Sequence, residues 1–123
     1  MGSPTALYIH IPFCATKCFY CDFNTYPFHK ERADAYLNAL QIEMNAYAPM
    51  VVSLQTVFIG GGTPSILSPN SLKKMFTNLQ ENFHIETDAE FTIECNPGTI
   101  DAEKLAVMSD SGVNRLSFGV QAM

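Results

Sequence analysis

The sequence predicts an α/β fold built from parallel βα repeats, and three observations carry that prediction. Four short runs rich in β-branched and aromatic residues alternate with three stretches whose apolar residues recur every three or four positions. The resulting order, βαβαβαβ, implies a parallel sheet joined by right-handed crossovers. Apolar residues make up 47% of the chain and charged residues 15%, against a usual charged share of about 25%. Strands buried on both faces call for that composition.

The elements follow in order. Ala6–Ile11 is a strand ended by Pro12. A loop with three cysteines and several aromatics then reaches about Lys30. From Ala33, the residues Leu37, Leu40, Met44 and Tyr47 mark one helix face, and Pro49 stops that helix. Residues 55–59 form a second strand, broken by Gly60, Gly61 and Gly62. Ser68 and Pro69 suit the N-cap and first position of a helix whose apolar face is Leu72, Met75, Phe76, Leu79 and Phe83. Residues 90–94 are a third strand, stopped by Asn96, Pro97 and Gly98. A third helix begins near Thr99 or Asp101 and ends at Gly112, placed as the residue just past the helix end. Residues 115–120 form a fourth strand. Residues 1–5 read as a tag or disordered N-terminus, and 6–123 as the N-terminal part of a larger barrel or open sheet, its remainder lying beyond. A final strand without a covering helix would otherwise leave an apolar face bare.

Charge and patterning exclude several functions. Seven basic and twelve acidic residues give a net charge of −5, which leaves no basic footprint for duplex nucleic acid. The longest apolar runs, around residues 7–11 and 57–59, are too short to span a bilayer. No secretory leader pattern opens the chain, so a cytoplasmic location is expected.

Each predicted strand is followed by an unusual loop. In parallel α/β architectures the carboxyl ends of the strands share one rim, where sites are built. Cys14, Cys18 and Cys21 form C-x3-C-x2-C within eight residues, tight enough to wrap one soft-metal centre. Three thiolates on a [4Fe–4S] cube leave one iron without a cysteine. A zinc site completed by His10, His29 or Cys95 is the alternative; zinc spacing favours a distant second pair, and none is present. Gly60-Gly61-Gly62-Thr63-Pro64 lacks both the lysine of a phosphate-binding loop and the spacing of a dinucleotide fingerprint. It is a tight turn, or a place where backbone approaches a ligand closely. In the third strand Phe91, Ile93 and Cys95 share one face, opposite Thr92 and Glu94. In the fourth, Leu116, Phe118 and Val120 oppose Arg115, Ser117 and Gln121. Glu94 in a dry interior needs a cationic or hydrogen-bonding partner, and a ligand could supply it.

Several residues have plainer readings. Cys95 is expected to be a small apolar core residue. His10 shares a face with Tyr8 and reads as a core histidine with a satisfied partner. His29 and His84 read as surface or loop residues, Asp22 as a turn residue, and Lys73 with Lys74 as a solvated helix face.

The run Tyr8-Ile9-His10-Ile11-Pro12-Phe13-Cys14, followed by Lys17-Cys18-Phe19-Tyr20-Cys21-Asp22-Phe23, resembles the radical S-adenosylmethionine (SAM) superfamily, and within it the oxygen-independent coproporphyrinogen III oxidase-like branch. The segments Gly60-Gly61-Gly62-Thr63-Pro64-Ser65, Glu94-Cys95-Asn96-Pro97 and Arg115-Leu116-Ser117-Phe118-Gly119-Val120-Gln121 resemble that branch's later motifs, in order. The resemblance implies a partial (β/α)6 barrel of the TIM type, of which this chain supplies the first three units and the fourth strand. It implies that Cys14, Cys18 and Cys21 hold a [4Fe–4S] cluster whose open iron binds the amino and carboxylate groups of SAM. Gly61, Gly62 and Thr63 would contact the methionine moiety, Glu94, Tyr8 and Tyr20 would complete the cofactor pocket, and Gln121 would correspond to a residue that in the porphyrinogen oxidase lies near a second SAM. Reductive cleavage of the sulfonium would yield methionine and a 5′-deoxyadenosyl radical.

One departure directs the reading further. Coproporphyrinogen oxidases of this branch carry another cysteine two residues after the third, where this chain has Phe23. The Cys-Asp-Phe-Asn form resembles the heme chaperone subgroup, which implies heme as a ligand and heme-acceptor proteins as partners. Coproporphyrinogen III oxidation and a structural zinc module are the alternatives. The chain by itself, as a cut barrel, is expected to self-associate.

Overall fold

The computed structural model describes residues 5–14, 26–27 and 30–118, with the side chains of 14, 26 and 27 excepted. The elements are β1 (Ala6–Ile11), β2 (Phe13–Cys14), β3 (Tyr26–Pro27), α1 (Lys30–Tyr47), β4 (Leu54–Gly61), α2 (Pro69–Asn82), β5 (Ile85–Cys95), α3 (Ala102–Asp110) and β6 (Arg115–Phe118). The main sheet has the order β1-β4-β5-β6 with every pairing parallel. This is the expected α/β fold of βα repeats.

Alternation decides which face each strand buries. Ile9, Ile11, Val57, Ile59, Phe91, Ile93 and Cys95 form one continuous core with Leu37, Met44, Leu72, Met75, Phe76, Leu79 and Met108 of the helices. At about 25 cal/mol per Å2 of apolar surface removed from water, that layer is the main stabilising contribution. The other face carries Tyr8, Phe58, Glu90, Glu94, Arg115 and Ser117, all exposed or half-buried.

The helix ends are written locally. The Ser68 hydroxyl accepts the Ser71 N–H at 3.1 Å and Pro69 opens α2, as expected. Asp101 caps α3 by accepting the Lys104 N–H at 2.8 Å. Gly112, at φ 98°, follows the α3 terminus; its N–H donates to the Ser109 carbonyl while that of Val113 donates to the Met108 carbonyl. This paired closure is why a left-handed glycine stands there.

Four details differ from expectation. β4 runs through Gly60 and Gly61, which pair with His10 and Ile11, so the glycines close the strand rather than break it. β5 starts at Ile85, earlier than expected, because its register with β4 slips between Leu54↔Ile85 and Thr56↔Glu90; that irregularity interrupts the alternation by which a strand is recognised. Phe13–Cys14 and Tyr26–Pro27 form a two-residue parallel pair at the two ends of the cysteine loop, too short to leave a periodic trace. Tyr47, placed on the apolar face of the first helix, is 49% exposed at its last residue. The fourth strand is described as far as Phe118; residues 119–123 lie outside the described residues.

Candidate functional site

The carboxyl ends of β1, β4 and β5 converge on Glu94. Gly61 N–H donates to Glu94 Oε1 at 2.9 Å, so the carboxylate has the hydrogen-bonding partner that its half-buried position requires. Neighbouring Gly60 leaves the space that this geometry occupies. A Cβ there would lie 2.5 Å from Glu94 Oε1, 2.8 Å from the Phe58 ring and 3.1 Å from Tyr8 Oη. Gly61 sits at φ 118°, and a Cβ on it would meet the Ile11 carbonyl oxygen at 2.6 Å. Only glycine meets both demands.

The loop after β4 is stitched to the start of the cysteine loop. Gly62 N–H donates to the Ile11 carbonyl at 2.8 Å, and Thr63 N–H donates to the Phe13 carbonyl at 2.7 Å. Cys14 follows immediately, paired through its backbone with Pro27. The glycine segment and the first cysteine are thereby held at one rim. From the helix side, Tyr36 of α1 donates its hydroxyl to the His10 carbonyl and meets the Phe13 ring edge-on at 5.7 Å.

Tyr8 and His10 point to the same side as Glu94. Tyr8 Oη and His10 Nδ1 are 3.1 Å apart, and the Tyr8 ring stacks on Phe58 at 5.9 Å. Partial burial, then the Glu94 carboxylate, raise the Tyr8 phenol above its usual pKa. Tyr8 is nevertheless 56% exposed, which sets it apart from an ordinary packing aromatic. His10 has a partner, as expected, but is half-buried on the open face of the sheet rather than in the core.

Cys95 lies on the opposite, helix-covered face beside Phe91 and Ile93. Its thiol donates to the Ile93 carbonyl at 3.7 Å, and burial, then Glu94, push it up to about 11. Its thiol therefore does not share the face of His10 and Glu94. Lys73, Lys74 and His84 are exposed, as expected.

Of the residues singled out, Tyr8, Gly61, Gly62, Thr63 and Glu94 are gathered at this rim, with the Cys14 backbone beside them. Cys18, Tyr20, Cys21, Asp22, Phe23, His29 and Gln121 lie outside the described residues. Sequence reasoning missed Ser65, Thr99 and Lys104, whose side chains tie the loop after β4 to the loop after β5. Ser65 left one signal, a hydroxyl at the end of a Gly-Gly-Gly-Thr-Pro-Ser turn; Thr99 and Lys104 left none.

The family profile described as the Radical SAM superfamily matches residues 8–123, and the chain belongs to that superfamily. Membership implies SAM and a [4Fe–4S] cluster as cofactors. The chain is 50% identical over 117 residues to the heme chaperone HemW of Bacillus subtilis, covering 93% of this chain and 31% of that protein. It is 40% identical over 121 residues to the oxygen-independent coproporphyrinogen III oxidase of Salmonella typhimurium, covering 96% of this chain and 26% of that one. Among solved structures it matches coproporphyrinogen III oxidase (HemN) from Escherichia coli, a radical SAM enzyme, with a TM-score of 0.89 at 37% identity over 98% of this chain and 28% of that one. The chain thus spans about a quarter to a third of the length of the curated relatives it matches. Among the described residues, no helix is long and apolar enough to cross a membrane.

The rim fits an amino-acid-bearing cofactor. Gly60 keeps a side chain out of the space beside Glu94, and Gly61 keeps one away from the Ile11 carbonyl and the His10 ring. With one Glu94 oxygen on Gly61 N–H, the carboxylate retains lone pairs for a cationic donor.

Proposed function

We propose that this chain is the cluster- and SAM-binding part of a heme chaperone, a protein that binds heme and passes it to acceptor proteins. The observation that carries the reading is the Gly61–Glu94 hydrogen bond, set beside Tyr8 at the rim where the cysteine loop begins. In this reading Cys14, Cys18 and Cys21 hold the [4Fe–4S] cluster. When bound, the cluster supplies the electron that cleaves the sulfonium of SAM. Glu94 offers counter-charge to the ammonium of the methionine moiety, while Gly61, Gly62 and Thr63 line it with backbone and hydroxyl groups. Tyr8 and Tyr20 close the pocket, and Gln121 would lie near a second SAM. The protein's contribution is positioning and electrostatics.

Two features favour chaperone over porphyrinogen oxidase. Phe23 stands where the oxidases have a further cysteine, and the 50%-identical curated relative, with others at 41–42% identity, is named heme chaperone HemW. An oxygen-labile cluster is also consistent with a reducing, cytoplasmic setting.

Anaerobic reconstitution of the full-length protein tests the reading. The expected product is brown, with about four irons per chain, binds SAM, and takes up heme in a titration. Turnover of coproporphyrinogen III would replace the chaperone with the oxidase. A colourless protein holding one tight zinc would remove the radical reading altogether.

A further inference from the structure

The β4–β5 pairing ends just below the rim. Its register runs through Phe58↔Thr92 and Ile59↔Ile93; above that, β4 follows β1 to Gly61 while β5 follows β6 to Cys95. The Gly61–Glu94 hydrogen bond joins the two strands past the end of that pairing. Behind it, a second group of contacts joins the loops that follow. Ser65 is fully buried, and its hydroxyl accepts the Asn96 N–H at 3.0 Å and bonds the Thr99 hydroxyl. Thr99 Oγ1 in turn donates to the Asn96 carbonyl at 2.8 Å. With Thr99's proton on Asn96, Ser65 is the donor to Thr99, and the three residues form a closed ring that uses each proton once.

Lys104 closes the arrangement from the first turn of α3. Its ammonium donates to the Ser65 carbonyl and to the Thr99 carbonyl, each at 2.8 Å. One carbonyl belongs to the loop after β4, the other to the loop after β5. Asp101 holds the Lys104 backbone N–H at 2.8 Å, which fixes the base from which the side chain reaches. Charge-assisted bonds of this kind are shorter and stronger than neutral ones. A single ammonium thus bonds both of the loops that follow Gly61 and Glu94.

We propose that Lys104 is a positioning residue for the cofactor rim: by pinning Ser65 and Thr99 to one ammonium, it holds Gly61 N–H and the Glu94 carboxylate at the separation that the amino-acid end of SAM requires. This inference rests on the reading of the rim given under Proposed function.

The test uses the full-length protein with its cluster reconstituted, and compares wild type with Lys104→Met and Lys104→Arg. SAM affinity is measured by titration calorimetry, iron by chemical analysis, and exchange of the Gly61 amide by mass spectrometry. In Lys104→Met the dissociation constant rises about tenfold, or about 1.4 kcal/mol, the iron content is retained, and the Gly61 amide exchanges faster. Lys104→Arg, whose guanidinium can also donate to two carbonyls, recovers affinity to within about threefold of wild type. Wild-type affinity in Lys104→Met overturns the inference, as does a Lys104→Arg protein no better than Lys104→Met. Iron loss in step with affinity loss also overturns it, because Lys104 would then act on the cluster loop as a whole. A wild-type protein that holds its cluster yet binds no SAM overturns the reading of the rim itself, and this inference with it. If Lys104→Met does not fold, Lys104→Gln is read in the same way.

Discussion

Cys95 and Glu94 are neighbours in sequence with opposite fates, because alternation along β5 sends one into the core and the other to the open face. The consequence for Cys95 is a thiol held protonated up to about 11 instead of 9.0. A proton bound more tightly in the folded state stabilises it fully below the ordinary thiol pKa, and the contribution is lost as pH rises through the native value. Stability should therefore fall between about pH 9 and 11 more steeply in wild type than in Cys95→Ala. Chemical denaturation at stepped pH measures the two slopes, and equal slopes would contradict the assignment. At this scale the sequence was informative wherever residue type and motif sufficed. Glycine beside a carboxylate-bearing strand end marked the rim, and the apolar neighbours of Cys95 marked it as core. Lys104 was invisible, since a lysine in the first turn of a helix carries no sign that it reaches back to another loop.

At the scale of elements, Asn114 shows how a loop residue completes a sheet. Its backbone N–H donates to the Phe91 carbonyl; its Oδ1 accepts the Phe91 N–H at 3.0 Å, and its Nδ2 donates to the Ala89 carbonyl at 2.7 Å. The side chain thus continues the β5–β6 pairing one step before β6 begins. Asn114→Ala should leave both backbone groups of β5 unpaired, at a cost of about 1–3 kcal/mol. A urea midpoint shifted down at unchanged slope would register that loss. The elements themselves were largely legible. The capping pair Ser68-Pro69, the Asp101 cap and the Gly112 closure are local chemistry, so their positions follow from adjacent residues. The two-residue β2–β3 pair and the early start of β5 were not, because both depend on pairing with a strand distant in sequence.

For the whole molecule, the helices cover one sheet face and leave the other, with Tyr8, Phe58, Glu94 and Ser117, open or half-open. Leu116 and Phe118 on the outer strand are 38% and 48% exposed. Among the described residues β1 and β6 are edge strands, and an uncapped parallel edge is a template for another chain. The 123-residue chain expressed alone should accordingly associate; sedimentation velocity over a concentration series reads this, and a single monomer species throughout would refute it.

Taken by itself, the sequence determined the order and kind of the main-sheet strands and the three helices, the helix caps, and Tyr8, Gly61, Gly62, Thr63 and Glu94 as residues of one strand-end rim. Each of these depends on short-range chemistry or on a period of two or 3.6 residues. Tertiary structure alone decided that Gly61 N–H meets Glu94, that the β4–β5 pairing ends beneath the rim, and that one ammonium bonds both loops beyond it. The contacts of Gly61 with Glu94 and of Lys104 with Ser65 join residues more than thirty positions apart in sequence, and their distances are set by how the strands and the loops after them pack.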